Sequence, residues 1–97
     1  MKLGRKVSAA SIVLYLKRVE GQPSARFGFV VAKTVGNAVT RNRVKRRLRE
    51  LAKLNLAQAA STDVVVRALP GSADLDWNTL QTEFQQALFS GLARLEK

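Results

Sequence analysis

The 97-residue sequence contains no cysteine and no histidine. Without cysteine there is neither a disulfide framework nor thiolate chemistry. Without histidine the commonest general base and metal ligand is missing. Acids are scarce: Glu20, Glu50, Asp63, Asp74, Asp76, Glu83 and Glu96 are the whole complement. A two-metal nuclease needs several carboxylates converging on one point. The only close pair, Asp74 and Asp76, precedes a helical stretch, where acids serve as caps. No catalytic residue and no metal-ligand set is therefore assigned. No apolar run approaches the roughly 18 residues of a membrane span. After Met1-Lys2 the chain does not continue into the apolar segment of a signal peptide. A cytoplasmic location is the expectation.

What the chain has in excess is positive charge. Lysine and arginine number 17 against seven acids, a net charge of +10. That leaves nucleic acid or an anionic membrane surface as the main partner classes. Apolar content is 46%, ordinary for a globular chain and too high for a disordered basic tail. The length fits one domain over residues 1–97.

The charge is concentrated in Val35 to Lys53. Within it Arg41, Arg43, Lys45, Arg46, Arg47, Arg49 and Lys53 stand against the single acid Glu50. At 100° per residue the stretch is an amphipathic helix. Val44, Leu48, Leu51 and Ala52 fall on one side; Asn42, Lys45, Arg46, Arg49 and Lys53 fall on the other. Arg41, Arg43 and Arg47 flank the apolar stripe. Cations at i and i+4 repel by a few tenths of a kcal/mol per pair, and Arg41–Lys45, Lys45–Arg49 and Arg49–Lys53 are such pairs. Only Glu50 offers relief on the same helix, through Arg43, Arg46 and Arg47. A polyanion is the natural source of the rest.

The remaining elements are set by period and punctuation. Met1 to Val7 is basic, either a frayed end or a short edge strand. Ser8 to Arg18 alternates, with Ile12, Leu14 and Leu16 on one face and Val13, Tyr15 and Lys17 on the other. Glu20 to Ser24 is a turn. Ala25 to Lys33 is a second strand, with Phe27, Phe29 and Val31 on its heavy face and Gly28, Val30 and Ala32 on its light face. These two strands are expected to pair as an antiparallel hairpin. Gly28 marks either a bulge or a bare patch where a ligand backbone can approach. Gly36 offers positive φ and Asn37 a helix cap, with the helix running from Ala38 to about Ala57. Asp63 to Leu69 is a third strand, and its Val64-Val65-Val66 run suggests burial on both faces. Strand, long helix and strand imply a βαβ crossover with parallel pairing. After the Pro70-Gly71-Ser72 loop, Asp76 caps a last helix from Trp77 to about Leu95. Its stripe of Trp77, Leu80, Phe84, Leu88, Leu92 and Leu95 belongs to a core.

With these residues in view, the chain resembles the protein subunit of bacterial ribonuclease P. The matching block is Val31-Ala32-Lys33-Thr34-Val35-Gly36-Asn37-Ala38-Val39-Thr40-Arg41-Asn42-Arg43-Val44-Lys45-Arg46-Arg47-Leu48-Arg49-Glu50. A basic helix is common, but G-N-A-V-x-R-N-R-x-K-R at the end of a strand is specific. The R-F-G-F-V-V and V-L-Y strands and the order of later elements are similar too, so the resemblance covers almost the whole chain. It departs at the start: family members carry some twenty further residues there, a basic arm and a helix that helps wall a cleft for single-stranded RNA.

The resemblance implies an α/β fold of the α+β two-layer sandwich kind: a small sheet with an antiparallel hairpin, a βαβ crossover and a C-terminal helix. General connection rules favour a right-handed crossover in about 98% of cases; the left-handed sense is implied by the family alone. It implies partnership with the catalytic RNA of ribonuclease P and with precursor tRNA, not with DNA or a membrane, and a part in Mg²⁺-dependent removal of the 5′ leader by an endoribonuclease whose chemistry belongs to the RNA. Mg²⁺ is then held mainly by the RNA. The RNA-binding set matched to the family motif is Lys33, Asn37, Arg41, Asn42, Arg43, Lys45, Arg46, Arg49 and Lys53. Arginine suits phosphate through its planar fork, and Asn42 suits a base edge or 2′-hydroxyl. The leader cleft takes Val13, Tyr15, Lys17, Gly28 and Val30, an aromatic ring beside a cation over a low floor.

Three other classes compete. A general RNA-binding module, such as a ribosomal protein or RNA chaperone, shares the charge and lacks only the specific block. A DNA-binding regulator would place a helix just upstream of the basic one, where this sequence has a strand. A membrane-surface helix would need its apolar face free, and here the core requires it.

Overall fold

A computed structural model describes residues 4–95. The chain forms β1 (Gly4–Ser8), β2 (Ile12–Arg18), β3 (Arg26–Val31), α1 (Ala38–Leu54), β4 (Thr62–Ala68) and α2 (Trp77–Leu95), with short 3-10 turns at Lys33–Val35, Ala57–Ala59 and Ser72–Asp74. The strands make one sheet in the order β1-β2-β4-β3. The β1/β2 and β2/β4 pairs are antiparallel and β3/β4 is parallel. This is the α+β arrangement expected, with the parallel pair spanning the α1 crossover.

The hairpin lies elsewhere than expected. It joins β1 to β2, closed by the Ala9 N–H donating to the Ile12 carbonyl at 2.9 Å. Strands β2 and β3 do not pair, because β4 lies between them. The segment after β2 turns at Glu20–Gly21, as expected, with the Gln22 N–H donating to the Val19 carbonyl at 3.4 Å, but it is tied to the start of β4. The Val19 N–H donates to the Ser61 carbonyl at 2.8 Å. Ser61 Oγ donates to the Gln22 carbonyl at 2.9 Å, and Gln22 Nε2 to Asp63 Oδ1 at 3.2 Å. The chain thus passes the end of β4 and enters the sheet on its far side. Met1 to Leu3, part of the expected N-terminal edge strand, lie outside the described residues.

A second correction concerns β4. Its burial alternates: Thr62, Val64, Val66 and Ala68 are buried, while Val65 is 39% exposed. Both helices cover the same face of the sheet, so a central strand is buried on one side only. Ile12, Leu14 and Leu16 of β2 join Val64 and Val66 there with Val44, Leu48 and Leu51 of α1 and Leu80, Phe84 and Leu88 of α2 in one core. Phe27 on β3 stacks on Phe84 at 6.3 Å and beside Phe29 at 6.4 Å. Gly91 lets α2 close onto the sheet; a Cβ there would lie 2.5 Å from Leu16 Cδ1.

Helix ends follow local chemistry. Asn37 Oδ1 accepts from the Thr40 N–H at 2.9 Å, and Asp76 Oδ1 from the Thr79 N–H at 2.7 Å, each filling an orphan donor of a first turn. Helix α1 stops at Leu54, short of the expected Ala57. Buried Asn55 turns its side-chain amide back to the Leu51 carbonyl at 2.7 Å, the backbone competition that makes asparagine a poor helix interior residue. Gly36 is extended, not left-handed (φ 160°). Its lack of a side chain answers proximity, since a Cβ would lie 2.8 Å from Thr40 Cγ2.

Candidate nucleic-acid interface

The core stripe of α1 turns its remaining faces outward, and the structure divides the seven helix cations by task. Arg47 Nη1 donates to the Leu75 carbonyl at 2.8 Å, and Arg43 Nη2 to the Ala73 carbonyl at 3.3 Å. These two, on the flank facing the Ser72–Asp74 turn, tie α1 to the loop that precedes α2. Lys53 lies 3.6 Å from Glu50 in an exposed i,i+3 pair, so Glu50 relieves Lys53 and not the arginines expected. Arg46 and Arg49 are exposed and bond to nothing among the described residues.

On the opposite flank Arg41, Asn42 and Lys45 line a groove of about 230 Å³ with Val31 and Ala38. Arg41 Nε is buried without a hydrogen-bond partner among the described residues. A desolvated, unpaired guanidinium donor is costly, and an anionic oxygen seated in the groove would relieve it. Lys33 is exposed in the 3-10 turn between β3 and α1. Asn37 Oδ1 is engaged by its cap, leaving only its amide NH₂ for a ligand.

The second surface is the helix-free face of the sheet. Strand register sets it out in three rows. Lys6, Tyr15, Val65 and Gly28 form the middle one; Ser8, Val13, Arg67 and Val30 lie on one side; Gly4, Lys17, Asp63 and Arg26 lie on the other. All five residues read from sequence as a cleft are therefore on one face, spread over β2 and β3 with β4 between. Tyr15 is half-buried and Val30 is 49% exposed. Val13 is only 7% exposed and offers floor, not reach. Gly28 pairs in regular register with Val65, without a bulge. A Cβ there would stand an ordinary 3.9 Å from Val65 Cγ2. Packing does not demand this glycine; its effect is to leave the floor low beside Val65, across which Tyr15 stands.

Sequence reasoning missed the contribution of β4. Arg67 and Val65 stand between the two recognised strands, and Lys6 on β1 flanks Tyr15 from the other side. The signal was the two-residue step from Asp63 through Val65 to Arg67, masked by the continuous valine run. At the far row Arg26 grips Asp63 with two bonds, Nε–Oδ1 and Nη2–Oδ2, both 2.9 Å. The Arg26 guanidinium, helped by Gln22, holds the Asp63 carboxyl below the usual range.

The carboxylates are engaged separately. Asp63 pairs with Arg26, Asp76 caps α2, and Glu83 accepts from both the N–H and the Oγ of Ser11. Among the described residues no three histidine, cysteine or acidic side chains cluster as a metal site. No described helix is long and apolar enough to cross a membrane.

Comparison with known proteins gives the same direction at each level. The family model described as Ribonuclease P matches residues 1–91. The ribonuclease P protein component of Pseudarthrobacter chlorophenolicus is 42% identical over 96 residues, covering 98% of this chain and 71% of that protein. The corresponding protein of Kocuria rhizophila is 41% identical over 95 residues, covering 97% of this chain and 83% of that one. The solved structure of the Staphylococcus aureus RNase P protein superposes with a TM-score of 0.80 at 30% identity, over 90% of this chain and 80% of that chain.

Proposed function

The chain belongs to the ribonuclease P protein family, and we propose that it serves that endoribonuclease by binding RNA on two separate surfaces. The exposed side of α1 docks on phosphates of the catalytic RNA through Arg41, Lys45, Arg46 and Arg49, joined by Lys33. The open sheet face receives the single-stranded 5′ leader of precursor tRNA, with Tyr15 as a stacking platform, Gly28 as floor and Lys6 and Lys17 beside the ring. The observation that carries this reading is the segregation itself. The cations of α1 and the aromatic-and-basic face of the sheet lie on different elements, and neither is consumed by the core.

Chemistry belongs to the RNA in this reading. The described side chains do not form a donor set for Mg²⁺, so they do not fit a protein-held ion. The metal would take its ligands from RNA phosphates. What the protein supplies is neutralising charge and a grip on the leader, which concentrate the substrate at an RNA active site. We place this work in the cytoplasm, alongside precursor tRNA.

Tyr15→Ala tests the division of labour. Stacking on one base is worth about 1–3 kcal/mol. The variant holoenzyme should bind precursor tRNA more weakly by that amount, with mature tRNA affinity and assembly on the catalytic RNA unchanged. Equal weakening of both tRNAs, or of neither, removes the sheet face as the leader site.

A further inference from the structure

Along β4 and β3 the open sheet face is not evenly charged, and the asymmetry has a direction. In one outer row Asp63 stands between Lys17 and Arg26 and binds Arg26 through both oxygens. That pair meets the charge of Arg26, so on the β3 side of this row no cation is free; Lys17 on β2, beside Tyr15, stays unpaired among the described residues. In the other outer row Arg67 stands between Val13 and Val30. It is exposed, and among the described residues it makes no ion pair and no side-chain hydrogen bond. Asp63 is four residues away on the same strand, about 13 Å at the usual rise, too far to neutralise it. Its neighbours are aliphatic, so nothing competes for its five donors. The row of Arg67 is also the one next to α1: Val30, its partner on β3, lies three residues before Lys33.

We infer that Arg67 is the phosphate anchor of the sheet face, and that the Asp63–Arg26 pair closes the opposite end of the track. This rests on the leader reading of that face and adds its polarity. A single strand enters from the side of Lys33 and α1. The fork of Arg67 takes a phosphate in bidentate fashion, between Val13 and Val30. The strand then passes Tyr15 and Gly28, and meets a carboxylate at the far row. Asp63 repels a further phosphate and holds Arg26 away from one.

The test uses holoenzymes reconstituted with the wild-type protein and with Arg67→Ala, Arg67→Lys, Tyr15→Ala and Asp63→Asn. Affinities are measured for mature tRNA and for precursor tRNAs whose leaders increase in length. Arg67→Ala should weaken precursor binding about tenfold, the value of one charged hydrogen-bonded contact. It should reduce the magnitude of the log-log salt slope by about 0.7, one phosphate on a single strand. Mature tRNA affinity should not change. Arg67→Lys should recover the salt slope but only part of the affinity. Asp63→Asn should raise affinity for the longest leaders alone, since it frees Arg26. If Tyr15→Ala shows the leader effect and Arg67→Ala does not, Arg67 is no anchor while the leader site stands. If Asp63→Asn leaves long leaders unaffected, the closed end is wrong. If neither Tyr15→Ala nor Arg67→Ala moves precursor binding, the sheet face itself fails.

Discussion

Salt dependence should separate the helix cations proposed to meet RNA from those that hold the fold. Arg43 and Arg47 donate to the carbonyls of Ala73 and Leu75, and Lys53 is paired with Glu50. The cations proposed to meet phosphate are Lys33, Arg41, Lys45, Arg46 and Arg49. Five phosphate contacts at about 0.7 to 0.9 each give a log-log slope of about −3.5 to −4.5 for binding to the catalytic RNA. Replacing Arg46 and Arg49 together by alanine should flatten that slope by about 1.4 to 1.8. The fold should survive, since both side chains are exposed. Arg47→Ala should do the reverse: it should leave the slope unchanged and lower the Tm, because the bond to Leu75 that steadies the loop before α2 is lost. Filter-binding titrations across a salt series, with thermal melts of the same proteins, read both quantities. A wild-type slope near −1, or an Arg47→Ala slope flattened as much as that of Arg49→Ala, would refute this partition.

Two further outcomes concern the fold. Gly91→Ala gains about 1 kcal/mol of helix propensity but places a Cβ 2.5 Å from Leu16 Cδ1 and 3.2 Å from its Cγ. Leu16 is fully buried and cannot swing aside, so overpacking of about 1–3 kcal/mol should prevail in urea denaturation, whereas Gly28→Ala should be tolerated; a more stable Gly91→Ala protein would contradict the packing. The Asp76 carboxyl is held below its usual range mainly by the Thr79 N–H, so its ionised form stabilises the folded state above the ordinary carboxylate pKa of about 3.9, and that stability is lost as pH falls through the depressed folded value. Asp76→Asn keeps the cap oxygen and loses the charge, so the Tm gap to wild type should be open at neutral pH and close in acid; a gap independent of pH would assign the cap no ionic part.

Much of this was legible in the sequence because it is periodic or local. Alternation in 8–18 and 25–33 marked two strands, which form over Ile12–Arg18 and Arg26–Val31, the 3.6-residue stripe of Val44, Leu48 and Leu51 marked the buried side of α1, and Asn37 and Asp76 announced their caps. Pairing was not legible. Alternation tells which residues share a face but not which strand lies alongside, and the ties from Val19 and Gln22 to Ser61 and Asp63 that route β3 past β4 are long-range. The valine run of β4 looked buried on both faces because valine suits an exposed strand position as well as a core one; only the placement of both helices on one side tells Val65 from Val64. The same ambiguity hid Arg67. The division of the basic helix was legible only in part: Arg43 and Arg47 flank the apolar stripe and Arg46 and Arg49 lie opposite it, but the carbonyls of Ala73 and Leu75 that hold the flanking pair come from a distant loop.

The central claim is that this protein assists cleavage by an RNA catalyst and does not cleave by itself. The measurement is 5′ processing of precursor tRNA by the ribonuclease P RNA of the same organism at low Mg²⁺, with and without the protein. The account predicts slow cleavage by the RNA alone, strong stimulation when the protein is added, and intact substrate with the protein alone. Cleavage by the protein alone, or no stimulation of the RNA at any protein concentration, would contradict it.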